Sequence, residues 1–105
     1  MSILETGAVD GIALDDDGKL ILMISDHLDW SNEYEHLMAL QEKINAYIAF
    51  CEDAQYEKVY PDRQIRYAVF EINFEHEPTK NAVRFLNMVQ DQVGELGIKI
   101  TCYVS

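Results

Sequence analysis

Basic residues are scarce in this chain, eight against nineteen acids, for a formal charge of −11. The few bases, Lys19, Lys43, Lys58, Arg63, Arg66, Lys80, Arg84 and Lys99, are scattered, so no basic patch offsets repulsion from nucleic-acid phosphates or an anionic membrane surface. Neither is expected as a partner. Cysteine is limited to Cys51 and Cys102, with no C-x-x-C spacing; both fall at positions expected in the core, as reduced thiols. No stretch approaches the ~20 apolar residues of a membrane span, and Met1 to Asp10 carry neither a basic segment nor a long apolar run, so a secretory leader is not expected. By elimination the expected address is cytoplasmic. Gly-rich phosphate loops, internal repeats and low-complexity tracts are also missing.

What remains is ordinary globular material. Hydrophobic residues make up 49% and charged residues 26%, which argues against disorder despite the acidity. The 105 residues suit one domain spanning 1–105, and a chain of that size buries roughly two thirds of its unfolded surface without needing metal or disulfide. The excess of acid favours solubility and would steer a basic protein partner toward the chain at rates that fall with salt.

Hydrophobic periodicity sets out six elements. Val9, Ile12 and Leu14 lead into Asp15-Asp16-Asp17-Gly18, whose aspartates bond their own backbone and whose glycine takes positive φ, as a hairpin requires. The following strand is apolar on both faces, Leu20, Leu22 and Ile24 alternating with Ile21 and Met23, so it belongs inside the sheet. Asn32 with Glu35 has capping-box spacing, and Leu37, Leu40, Ile44, Tyr47, Ile48 and Cys51 define a helical stripe to about Glu52. Residues 53–64 read as a loop packed by Tyr56 and Tyr60, and 65–74 as a third strand with Ala68, Phe70, Ile72 and Phe74 on its core face. A second helix runs from Pro78 in its first turn to Gly97 at its end, with Ala82, Phe85, Leu86, Val89, Val93 and Leu96 as its stripe. Ile98, Ile100, Cys102 and Val104 alternate along a last strand.

The order ββαβαβ predicts an α+β fold. Helices joining successive parallel strands by right-handed crossovers in one direction lie on one face, giving a two-layer sandwich of a four-stranded mixed sheet under two helices. The other face would show Tyr67, Val69 and Tyr103, a half-apolar surface suited to a homodimer or another partner. Phe50 with Ala39, Lys43 and Ala46 marks a second flank open to a partner.

Ligands in open α/β sheets gather beyond strand C-termini, and two polar clusters fall there: Asp26, His27 and Asp29 after the second strand, Glu75, His76 and Glu77 after the third. His36 lies one helical turn inside the first helix, so this corner holds all three histidines. Imidazole beside carboxylate suits a transition metal or general-base work, and Asp26, His27, Asp29, Trp30, Gln41, Glu75 and His76 are the candidate ligand-binding residues. The plainer reading is loop polarity spent on turns and helix caps, since no H-E-x-x-H arrangement is present and neighbours in Glu75-His76-Glu77 point apart when extended. No catalytic residue and no cofactor is assigned. Gln41 falls within the apolar stripe, so its amide is expected to tie down the Asp26 to Trp30 loop, with Trp30 as a lid over the helix start. The Asp15 to Gly18 turn is no calcium loop, because the matching register places Ala13 and Ile24 where carboxylates are required.

The segments Ile24-Ser25-Asp26-His27-Leu28-Asp29-Trp30, Leu40-Gln41-Glu42-Lys43-Ile44-Asn45-Ala46-Tyr47 and Tyr60-Pro61 resemble a small bacterial family of uncharacterised proteins of about a hundred residues, over the full length. The resemblance implies a bacterial, cytoplasmic protein and carries over no functional residues. Two readings follow: a non-enzymatic protein-interaction module, or a small metal- or ligand-binding enzyme using the Asp26/His27/Asp29 and Glu75/His76 loops.

Overall fold

The hairpin turn is fixed by one side chain. In the computed structural model, which describes residues 3–61 and 65–105, the Asp15 carboxylate accepts from the backbone N–H of Asp17 and of Lys19, each at 2.9 Å. Gly18 takes φ 84° and donates to the Asp15 carbonyl. Those bonds join β1 (Gly11–Leu14) antiparallel to β2 (Lys19–Asp26). β2 then pairs parallel with β3 (Tyr67–Phe74), and β3 parallel with β4 (Ile98–Val104), in the spatial order β1-β2-β3-β4. The chain therefore builds its sheet outward without stepping back over a strand, which is the condition for both crossover helices to share one face.

Residues of even number point to that face. Leu20, Leu22 and Ile24 of β2 and Phe70, Ile72 and Phe74 of β3 are essentially inaccessible, and they form one cluster with Leu40, Ile44 and Tyr47 of α1 (Glu33–Glu52) and Leu86 and Val93 of α2 (Lys80–Val93). The α+β sandwich expected from the alternation is the fold found. Asn32 caps α1, its side chain accepting from Glu35 N–H.

Several boundaries differ from the pattern reading. Thr79, not Pro78, opens α2, its hydroxyl accepting from Ala82 N–H, so Pro78 stands one residue before the cap. α2 stops at Val93 and a 3-10 turn (Gly94–Leu96) carries the chain to left-handed Gly97, which leaves Leu96 exposed rather than on the stripe. Another 3-10 turn, Gln55–Lys58, interrupts the expected loop, and Tyr56 and Tyr60 do pack on the core. Asp62, Arg63 and Gln64 of that loop, and Met1 and Ser2, lie outside the described residues. Cys51 is half-buried, whereas Cys102 is exposed rather than in the core. Burial, reinforced by the Glu52 charge, pushes the Cys51 thiol up to about 11, so it stays protonated at neutral pH.

The uncovered sheet face is less bare than alternation alone suggests. Val69, at its centre, is only 6% exposed, because the face is lined around it by Lys19, Tyr67, Glu71, Lys99 and Tyr103. Met23 lies beside Gly11, its cross-strand partner, with its sulfur over the space a side chain there would occupy. Long stems of charged residues shield apolar surface while their heads stay wet.

Candidate functional site

β2 and β3 run parallel, so the two histidine-bearing loops leave the sheet at the same end. Asp26 is the last residue of β2 and faces the helices, which buries its carboxylate to 1% exposure. One oxygen accepts from Leu28 N–H at 3.1 Å, closing a turn; the other meets His36 Nε2 at 2.5 Å. His36, also 1% exposed, directs Nδ1 at the Asp29 carbonyl, 2.9 Å away. A carbonyl only accepts, so Nδ1 carries a proton, and one further proton lies on the Nε2–Asp26 line.

Trp30 closes the corner. Its indole stacks on the His36 ring with centroids 3.5 Å apart and planes 16° from parallel, and tilts against Phe74. Its Nε1–H donates to the His76 carbonyl at 3.2 Å, a bridge between the loops after β2 and β3. Asp29 accepts from the Ser31 hydroxyl and backbone, which hold its carboxyl below the usual range, with His76 and His36 adding to the effect. Glu33, at the start of α1, accepts from the Asn81 amide of α2; that bond, with one from Thr79, likewise lowers its carboxyl.

Of the candidate residues, Asp26, Asp29 and Trp30 therefore meet, and His76 joins them through its carbonyl. Glu75 enters only by its backbone, donating to the Asp26 carbonyl, and its side chain and that of His27 are exposed. Gln41 is elsewhere: it is exposed and lines a groove between the helices with Ile44, Ile48, Phe85 and Val89. The tie from α1 to the Asp26 to Trp30 loop exists, but His36 makes it. The buried face of α1 keeps Leu40, Ile44 and Tyr47 of the apolar stripe and adds the polar side chains of His36 and Lys43.

A second buried polar cluster lies farther along that face. Lys43, 0% exposed, donates to the carbonyls of Glu5 and Ala8 and to the Asp10 carboxylate at 3.0 Å. The other Asp10 oxygen accepts from Ser25 N–H, and Asp10 N–H donates to the Tyr47 hydroxyl, which donates in turn to the Met23 carbonyl at 2.5 Å. The flank of Lys43, Ala46 and Phe50, expected to be open to a partner, is occupied by the chain's own residues 5–10.

Both nitrogens of His36 are engaged, the ring lies under indole, and neither member of the pair is open to a substrate. Among the described residues no group of three or more His, Cys, Asp or Glu side chains is placed to hold a metal ion. One depression of ≈ 240 Å³ opens at the opposite end of the sheet, lined by Leu20, Cys51, Tyr56, Arg66 and Ile98. No helix among the described residues is long and apolar enough to cross a membrane.

These features define a two-layer α+β domain whose longer helix is pinned to the sheet by buried polar groups. The chain belongs to a family of unknown function, DUF6572, whose model matches residues 1–105. No curated protein and no solved structure matches it.

Proposed function

We propose that the protein is a non-enzymatic protein-interaction module of the bacterial cytoplasm, engaging a basic protein partner. The observation that supports this most is the sequestration of the Asp26–His36 pair: the imidazole best placed beside a carboxylate is used for holding α1 in position and is not open to solvent. The charge of −11 supplies attraction for a basic partner without any specific pocket. Capture on the immobilised protein from a bacterial lysate, at low and then high ionic strength, tests the reading. Basic proteins retained at low salt and released at high salt support it; the absence of any salt-dependent partner removes it.

A second reading, a small ligand- or metal-binding enzyme, has one observation in its favour: the two loops converge at one rim and leave His27, Glu75 and His76 exposed there. Titrating zinc and manganese into protein prepared without a histidine tag decides it. A rise in melting temperature that His76→Ala abolishes would sustain the enzyme reading, and no shift would end it.

A further inference from the structure

The two edges of the sheet are protected unequally. β1 is short, four residues, which by itself discourages pairing with another chain. β4 has seven residues and a peculiarity at its start: the Gln90 side chain of α2 donates from Nε2 to the Ile98 carbonyl at 3.1 Å and accepts from Ile100 N–H at 2.7 Å. A side-chain amide thus makes the two bonds that a neighbouring strand would make.

The ladder geometry says which groups are left. Ala68 N–H donates to the Gly97 carbonyl, and Ser105 N–H to the Phe74 carbonyl, so odd-numbered residues of β4 face β3 and even-numbered ones face outward. Gln90 occupies the Ile98 carbonyl and the Ile100 N–H; the Ile100 carbonyl and both groups of Cys102 and Val104 have no partner among the described residues. Around them the side chains are uncovered, Tyr103 and Val104 each 52% exposed and Cys102 exposed as well.

We propose that this open half-edge is a self-association site, where residues 102–104 pair antiparallel with 104–102 of a second copy about a two-fold axis at Tyr103. Charge favours a second copy there. In a chain of −11, identical molecules meet with least repulsion where acidic side chains are missing, and Ile98 to Ser105 contains no Asp or Glu, only the basic Lys99. Geometry favours the register. Each Cys102 N–H donates to the other copy's Val104 carbonyl and each Val104 N–H to the other copy's Cys102 carbonyl, while Ile100 N–H remains with Gln90, whose amide fills the place an added strand would take there. On the helix side Cys102 covers Val104, and on the other side the two Tyr103 rings lie opposite each other. Pairing at an isologous edge closes on itself, so the product is a dimer rather than a fibre. This inference goes beyond the interaction-module reading, and neither depends on the other.

Sedimentation of the full chain over a range of concentrations tests it, with three variants. The wild type is expected to dimerise. Val104→Pro, which removes the outward N–H at the end of an edge strand, should weaken dimerisation about tenfold or more while leaving the melting transition of the monomer in place. Met23→Glu, on the open sheet face, should leave dimerisation unchanged. Tyr103→Cys, in a chain that also carries Cys51→Ala and Cys102→Ala, should form a disulfide dimer on mild oxidation with copper–phenanthroline, because Cα atoms of a non-hydrogen-bonded antiparallel pair stand ~4.5 Å apart, within disulfide range. A chain that stays monomeric at all concentrations overturns the proposal. So does a dimer that Met23→Glu dissolves and Val104→Pro does not, or one in which a cysteine at position 103 fails to cross-link.

Discussion

The two ends of α1 use the same device over different distances. Near its start, His36 reaches residues seven and ten positions back, Asp29 and Asp26, and so fastens the loop that leads into its own helix. Farther along, Lys43 reaches 33 to 38 positions back, to Asp10, Ala8 and Glu5, and Tyr47 reaches Met23. The first is a local clasp; the second wraps a distant segment over the helix and places Ile3 in the core. Burying an ion pair is weak evidence of stabilisation, since desolvation offsets much of the attraction, but removing one partner strands the other. The two clusters should therefore differ in how much of the molecule each releases when cut.

The largest effect is expected at the distant cluster. Lys43→Met keeps the aliphatic stem and deletes the ammonium, leaving the Asp10 carboxylate, 2% exposed, beside two carbonyls that have lost their donor. A loss of about 3 to 5 kcal/mol in urea unfolding is expected, with faster native-state proteolysis of residues 5–10. Asp10→Asn added to Lys43→Met should recover part of the loss by removing the stranded charge. A single-variant cost under about 1 kcal/mol would show that the two clusters are not distinguished by reach.

Next comes the local clasp. His36→Ala leaves the Asp26 carboxylate with Leu28 N–H alone and opens a cavity under Trp30, for an expected cost of about 2 to 4 kcal/mol. Trp30 is the sole tryptophan, so its emission should shift to the red as the indole loses its stacked neighbour. Replacing both Asp26 and His36 by leucine should restore most of the stability, because an apolar pair of similar volume needs no proton between its members. The signature of a local element is that proteolysis at residues 5–10 stays slow while the emission changes. If that segment is released too, the clusters act as one unit.

pH separates the clusters further. Burial above all, with the Asp10 charge adding to it and a hydrogen bond from Asp10 N–H opposing, pushes the Tyr47 hydroxyl up to about 12 from an ordinary value near 10. A group whose pKa is raised on folding contributes stability in full below its unfolded value and loses it as pH climbs through the folded one. Here that window is pH 10 to about 12, and the linked loss is on the order of 2 kcal/mol. Tyr47→Phe should flatten the alkaline limb of the stability curve relative to wild type, with the Cys51 thiol accounting for what slope remains. An unchanged limb would mean that Tyr47 ionises freely and that its bond to Met23 does not hold the cluster.

Legibility in the sequence follows the same division by distance. Strand alternation, the Asp15 to Gly18 turn and the Asn32 cap are decided by neighbours within a few residues, and they were readable along with the fold they imply. The corner is half readable: Asp26, Asp29 and Trp30 stand out along the chain, whereas Gln41, the amide conspicuous on the apolar stripe, is exposed and the tie belongs to His36. His36, spaced with Leu40, Lys43 and Tyr47 at four, seven and eleven residues, carried the usable signal, a helical stripe that reads as buried only if its polar members are allowed inside. The Lys43 cluster was not readable at all. A lysine among alanines looks like a solvated flank until residues 5–10 are known to cross it, and nothing local in the sequence says that they do.

The smallest expected effect bears on that misreading. Gln41 is exposed on α1 and bounds the groove between the helices, with no hydrogen bond to the Asp26 to Trp30 loop. Gln41→Ala removes a side chain that water replaces at no loss, and alanine favours the helix slightly, so stability should stay within about 0.5 kcal/mol and Trp30 emission should not move. A cost of about 1 to 3 kcal/mol, the range for stranding a buried polar group, together with a shifted emission, would instead place the amide against the loop. His36 would then share the clasp, and the contrast between a local tie made by one buried imidazole and a distant one made by an ammonium would no longer describe α1.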